Sequence, residues 1–154
     1  DVVLGALAVV NAAGDVLDWR TGRIIAGARR PDGRFADSVD VMRAIVSGTP
    51  GAGLDDAALR STTLAVVATN VDLSKTALTK LAMMANCGAG RAIRPYHTTG
   101  DGDQLFAVST AKLQRPDLGI TLLGALAADL VADAIVRAVR AAASVDGWPA
   151  VRDL

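Results

Sequence analysis

Apolar positions along the chain fall into short β-like runs in its first half and helix-spaced runs in its second. Val2 to Val10 is apolar with small Gly5, Ala6 and Ala8 interleaved, and reads as a buried strand. Asn11 to Asp15 follows as a turn in which Gly14 can supply a positive φ. Val16-Leu17-Asp18 is a short returning strand, Trp19 to Gly22 a second turn, and Arg23 to Ala28 a third strand. Turns this short suit a β-meander. Arg29 to Ser38 is a polar loop around Pro31-Asp32-Gly33, and Ser38 to Val46 carries enough apolar residues for a short helix or an ordered loop. A Gly-, Pro- and Asp-rich loop, Ser47 to Asp56, and the segment Asp55 to Arg60 then lead into Ser61-Thr62-Thr63. That hydroxyl cluster runs straight into Leu64-Ala65-Val66-Val67-Ala68-Thr69-Asn70, a buried strand.

Past Asn70 the period changes. Ser74 is placed as an N-cap, and Ala77, Leu78, Leu81, Ala82, Met84 and Ala85 recur at helical spacing. Gly88 and Gly90 are expected to stop that helix. Arg91 to Arg94 continues to Pro95, His97 to Asp103 is a polar loop, and Leu105 to Ser109 is a strand. Pro116 to Gly119 breaks the chain before a long helix, Ile120 to Ser144. Its apolar stripe is Leu123, Leu126, Leu130, Val131, Ala134, Ile135, Ala138 and Val139, and its many alanines permit close approach of a neighbouring element. Asp129, Asp133, Arg137 and Arg140 argue against that helix spanning a membrane.

Composition narrows the classes. A length of 154 residues suits one compact domain. The hydrophobic fraction is 51% but aromatics are 3%, so the core must be built from Ala, Val, Leu and Ile in an α/β arrangement. Sixteen basic residues balance sixteen acidic ones, so no global charge draws the protein to nucleic acid or to an anionic membrane. Cys87 is the only cysteine, which excludes an intrachain disulfide and a Cys-based zinc site. His97 is the only histidine, so any Ser-His-Asp or Cys-His machine would have to use it. The chain opens on Asp1 and runs directly into Val2-Val3-Leu4, which reads as the interior of a longer protein with no signal peptide, and the expectation is a cytoplasmic one.

Two places could carry chemistry. A hydroxyl delivered by a loop to the head of a rigid strand at Ser61-Thr62-Thr63 would suit a nucleophile that is both accessible and fixed. The same residues equally suit a surface loop entering an ordinary strand, the threonines being there for β-propensity. The loop His97 to Asp103 is the densest polar cluster, with Asp101 and Asp103 flanked by Gly100 and Gly102. It reads as a metal loop, a carboxylate pair that polarises a hydroxyl, or a solvated turn. The twelve-residue calcium pattern and its closing Glu are missing. His97 could be a general base or simply exposed, and Cys87 is expected to be a small packed residue. Gly51-x-Gly53 lacks the Lys-Ser/Thr of a phosphate loop.

Taken together, Gly5-Ala6-Leu7-Ala8-Val9-Val10-Asn11-Ala12, Gly14-Asp15-Val16 and Thr21 to Ala28 resemble one family, as do Thr62 to Asn70, Leu73-Ser74-Lys75, Arg91-Ala92-Ile93-Arg94-Pro95, His97-Thr98 and Asp101-Gly102-Asp103. It is the DmpA-type peptidase family, which includes the β-aminopeptidases and the nylon-oligomer hydrolases, and the match is to its C-terminal half. The resemblance implies an αββα sandwich of the N-terminal-nucleophile hydrolase type. It implies self-cleavage between Ser61 and Thr62, with Thr62 as nucleophile. Residues 1–61 would then be the C-terminal portion of an α chain and 62–154 a β chain. Asn11 would help hold the oxyanion, and Asp101 and Asp103 would polarise the hydroxyl. The freed α-amine of Thr62, with a pKa of about 8, would act as general base, which removes the need for histidine. No cofactor and no metal are implied. The expected partners are a small peptide or amide substrate, the preceding segment of the same precursor, and further copies of the chain. Ser61 stands where the family has Asn or Gly, which keeps open an uncleaved, non-catalytic member that serves assembly or binding.

Overall fold

The computed structural model describes residues 1–51 and 61–153. The part of the Gly/Pro loop and its lead-in that falls in 52–60 lies outside the described residues. Those described form a mixed α/β fold organised around strand β4, Leu64–Val71. β4 is central because β1, Leu4–Val9, pairs antiparallel on one edge and β6, Gln104–Leu113, parallel on the other. Along β4 the residues Ala65, Val67, Thr69 and Val71 are buried while their neighbours point the other way, the period of two that one covered face produces.

The cover is a pair of helices, α2 (Lys75–Ala92) and α3 (Ile120–Ala141). α2 begins where Ser74 Oγ accepts from the Ala77 amide at 3.2 Å, as an N-cap should. It does not stop at Gly88 or Gly90, as the sequence suggested. A Cβ on Gly88 would overlap the carbonyl of Ala128 on α3, so this glycine is present for close backbone approach rather than as a terminator. Gly124 on α3 plays the same part against Met84 on α2. Leu81, Ala85, Ala89, Val131, Ala132 and Ile135 are almost wholly buried between the helices and the sheet. α3 ends three residues before the expected Ser144, and Leu126, assigned to its apolar stripe, is 59% exposed; Ala127 and Ala128 take the buried positions beside Leu123 and Val131.

A second sheet has the order β3 (Arg23–Ala26), β2 (Asp15–Asp18), β5 (Ile93–Arg94). The expected β-meander is therefore corrected. β2 and β3 form the hairpin, but β1 belongs to the other sheet, where its partner is β4. Residues 11–14 carry the chain between sheets, and the other edge of β2 is taken by β5. Gly14 fits there because a Cβ would run into the Arg94 and Pro95 backbone. Ser38–Val46 is a helix, α1, whose cap is Asp37, accepting from the Val39 and Asp40 amides. Asp15, fully buried, accepts from the Ser38 amide at 2.6 Å, and burial pushes its carboxyl above the usual carboxylate range.

Candidate active site

The parallel ladder between β4 and β6 determines what faces the hydroxyl cluster. Within the ladder Leu64 pairs Gln104, and upstream the same register brings Ser61 opposite Asp101 in an isolated parallel bridge. Thr62 and Thr63 thus precede the strand rather than begin it, and Asp101-Gly102-Asp103 lies directly alongside Ser61-Thr62-Thr63. A parallel pair needs a long crossover, here supplied by α2 and the polar loop. The Gln104 amide donates to the Thr63 carbonyl at 3.0 Å, and the Gly102 amide donates to the Ser61 carbonyl at 2.9 Å.

The Ser61 carbonyl oxygen is the focus. It accepts from the Thr62 hydroxyl at 2.7 Å as well as from Gly102. The Thr62 amide donates to the main-chain carbonyl of Asn11 at 2.9 Å, so the segment leaving β1 forms the third wall. Asn11 is exposed and meets Thr62 through its backbone; its side-chain amide makes no hydrogen bond among the described residues. Thr62, Asn11, Asp101 and Asp103 are therefore brought to one place, though Asn11 by a different atom from the one expected.

The two aspartates differ. Asp103 is buried and holds two main-chain amides, Thr63 at 2.6 Å and His97 at 3.0 Å. It pins the hydroxyl segment to the polar loop. Asp101 has both carboxylate oxygens buried and without a hydrogen-bond partner among the described residues. Burial, then the negative charge of Asp103, raises its carboxyl above the usual carboxylate range. The buried Thr63 hydroxyl also has no partner among the described residues. Tyr96 lies close enough to feel both aspartates: burial first, then their charge, pushes its phenol up to about 12, and it donates to Asn86 at 2.8 Å.

Other candidates fall elsewhere. His97 is exposed, its ring stacked on Tyr96 at 5.7 Å, and it enters the site only through its backbone. Cys87 is exposed on α2 rather than packed, because the buried positions of that turn go to Ala85, Gly88 and Ala89. Among the described residues no group of three or more His, Cys, Asp or Glu is placed to hold a metal. A groove of about 720 Å³ runs between β1 and α3, past Ala6, Leu7, Asp133 and Arg137; none of the residues around Thr62 lines it. No described helix is long and apolar enough to cross a membrane.

In the sequence Gly102 stands out only as a residue flanking Asp101 and Asp103. A Cβ there would lie 2.5 Å from Thr62 Oγ1. The available signal was the strand–helix–strand order around it, which implies a parallel pair and hence a register. A cluster built this way holds a hydroxyl against the carbonyl of the preceding residue, beside an uncommitted carboxylate.

The family model described as peptidase family S58 matches residues 1–151. An uncharacterised aminopeptidase of Mycobacterium leprae (strain TN) is 36% identical over 95% of this chain and 42% of its own length. Its counterpart in Mycobacterium tuberculosis (strain ATCC 25618 / H37Rv) is 34% identical over 99% of this chain and 48% of its own. A 6-aminohexanoate-oligomer endohydrolase of Kocuria sp. (strain KY2) is 30% identical over 91% and 41%. The chain thus spans about half the length of the curated relatives it matches.

Proposed function

The chain belongs to peptidase family S58, and from that membership we propose that it is the nucleophile-bearing part of a self-processing amide hydrolase, cut between Ser61 and Thr62. The observation that carries the reading is the Thr62 hydroxyl held 2.7 Å from the Ser61 carbonyl oxygen. In processing, Thr62 Oγ1 adds to the Ser61 carbonyl carbon and the bond to Thr62 N breaks. The hydroxyl proton ends on that nitrogen, leaving an ester that water hydrolyses to a Ser61 carboxylate and a free Thr62. The new α-amine has a pKa of about 8 and acts as general base on its own hydroxyl. The Asn11 carbonyl, which accepts from the Thr62 amide, would hold that amine, Asp101 would supply a carboxylate whose oxygens accept no hydrogen bond among the described residues, and Asp103 would keep the segment in position through the Thr63 amide. The Asn11 side-chain amide is assigned to the oxyanion of the substrate reaction.

The same proposal includes the αββα sandwich. The face of the β1–β4–β6 sheet turned away from the helices is apolar and open. Leu7, Val66 and Phe106 sit in one row across it, and Leu7 and Phe106 are 66% and 57% exposed. We assign its cover to a second sheet carried by the remaining half of the family polypeptide. Residues 1–61 would close an α chain and 62–154 form the β chain. Met83, Leu122 and Leu126 leave further apolar surface for a second copy, and the lone exposed thiol of Cys87 suits a reducing compartment such as the cytoplasm. Relatives named for aminopeptidase and amide-oligomer hydrolysis point to short peptides or amide oligomers as the substrate class.

Intact mass and N-terminal sequencing of the full-length protein test this. A new N-terminus at Thr62, lost in Thr62→Ala together with amide hydrolysis, is the expected result. A single uncut chain inactive on every amide and ester tried would instead support a non-catalytic assembly role, which Ser61 at the junction motivates.

A further inference from the structure

We propose that the main-chain N–H of Gly102 is the oxyanion donor of the processing step, and that the missing side chain of this residue is what admits the Thr62 hydroxyl. The inference rests on Thr62 being the processing nucleophile. Among the described residues the Ser61 carbonyl oxygen accepts from two groups, Thr62 Oγ1 and Gly102 N, at 2.7 and 2.9 Å. The first becomes the nucleophile. As its oxygen bonds to the Ser61 carbon its proton leaves for the Thr62 nitrogen, so it cannot remain a donor to the oxygen on which charge collects. The Gly102 N–H stays where it was, already aimed at that oxygen before charge develops.

Its position is not incidental. The parallel register of β4 and β6 continues through Ser61 and Asp101, and the next bond of the ladder, Gln104 N to Thr63 O, fixes the backbone on the far side of Gly102. Asp103 fastens the same segment to Thr63. A backbone donor so held needs no reorganisation when the tetrahedral intermediate forms, which is where preorganised donors act most strongly. Two aspartates flank it in sequence, so a donor there also offsets a neighbourhood hostile to a developing oxyanion. Any other residue except proline would keep the N–H but place a carbon 2.5 Å from Thr62 Oγ1, and proline would lose the N–H as well. Only glycine leaves both functions at one position.

The test removes the donor without adding an atom. Glycolic acid placed at position 102 of the full-length protein by nonsense suppression turns the amide between residues 101 and 102 into an ester, and cleavage at 61–62 is followed by intact mass. Loss of one oxyanion donor predicts cleavage slowed about 100-fold. Gly102→Ala, which retains the N–H, is also expected to slow cleavage by displacing the hydroxyl. Cleavage of the ester variant at the parent rate overturns the inference and leaves the Thr62 reading standing. A parent protein that stays uncut at 61–62 overturns the Thr62 reading and the inference with it. An independent measurement uses uncleaved Thr62→Ala: a scalar coupling across the hydrogen bond from Gly102 N to the Ser61 carbonyl carbon is expected, and its absence also overturns the assignment.

Discussion

In the helix seam and at the Ser61–Thr62 junction, glycine brings groups closer than a side chain allows, with opposite consequences. In the seam between α2 and α3, Gly88 lies on the Ala128 carbonyl and Gly124 on Met84. Around them the buried groups are Leu81, Ala85, Ala89, Val131 and Ile135, all apolar and packed. At the junction of Ser61 and Thr62, Gly102 lies on a hydroxyl. There both oxygens of Asp101 and the hydroxyl of Thr63 are buried without partners among the described residues. An unpaired buried polar group costs about 1–3 kcal/mol. Among the described residues the seam has no unpartnered buried side-chain polar atom, whereas the junction has two such groups together, the Asp101 carboxylate and the Thr63 hydroxyl. The same local device serves packing where its neighbours are satisfied and chemistry where they are not.

That contrast can be broken from either side. The largest expected effect is on chemistry: Thr62→Ala removes the nucleophile and should abolish cleavage at 61–62, as read by intact mass, while the thermal midpoint stays close to the parent value. Unchanged cleavage would erase the distinction between the two regions. The converse experiment is in the helix layer. Leu81→Ala opens a cavity at a fully buried site and should cost about 2–5 kcal/mol in chemical denaturation. Gly88→Ala forces a methyl against a backbone carbonyl that cannot rotate away and should cost about 1–3 kcal/mol or more. Both variants, assayed well below their midpoints, should still cleave.

Within the junction, the two aspartates should separate. Asp103→Ala leaves the Thr63 and His97 amides without an acceptor, a loss of about 1–3 kcal/mol for each that stays buried. The same deletion at Asp101 removes a carboxylate whose oxygens accept no hydrogen bond among the described residues, and should cost less. Equal destabilisation by the two deletions would show that the pair acts as a unit.

How much of this was legible in the sequence follows from the range of each interaction. Ser74 as a cap, the helical spacing after it, the helix begun at Ile120 and the strand through Val67 are all specified by residues within a few positions, and each was read correctly. Gly88 was misread because a glycine that ends a helix and one that admits a neighbour look alike locally; the carbonyl of Ala128 decides between them. The meander failed for the same reason: nothing near β1 says that it pairs with Leu64 to Thr69 instead of with β2. The Ser61-Thr62-Thr63 hydroxyls and the Asp101–Asp103 pair stand out from the residues themselves, beside blander readings, while the choice of Thr62 and the part of Asn11 come only from resemblance; the unequal roles of the aspartates and the importance of Gly102 depend on a strand register that no local pattern encodes.

The smallest expected effect is the most discriminating. Burial and the charge of Asp103 hold the Asp101 carboxyl above its unfolded value, which is about 3.9. The folded state therefore prefers the protonated form. The stability this contributes is fully present below the unfolded pKa and is lost as pH rises through the higher folded one. Asp18, Asp117 and Asp133, lowered by Arg140, Arg115 and Arg20, work in the opposite direction, so the whole-protein profile mixes both signs. Asp101→Asn removes one component from that mixture. Subtracting its unfolding free energy from that of the parent across the acidic range should leave a curve that falls with rising pH and flattens above the raised pKa. Asp18→Asn, treated the same way, should leave a curve that rises. A flat difference for Asp101 would mean that its carboxyl is as well solvated as any on the surface, and the junction would then be packed as quietly as the helix seam.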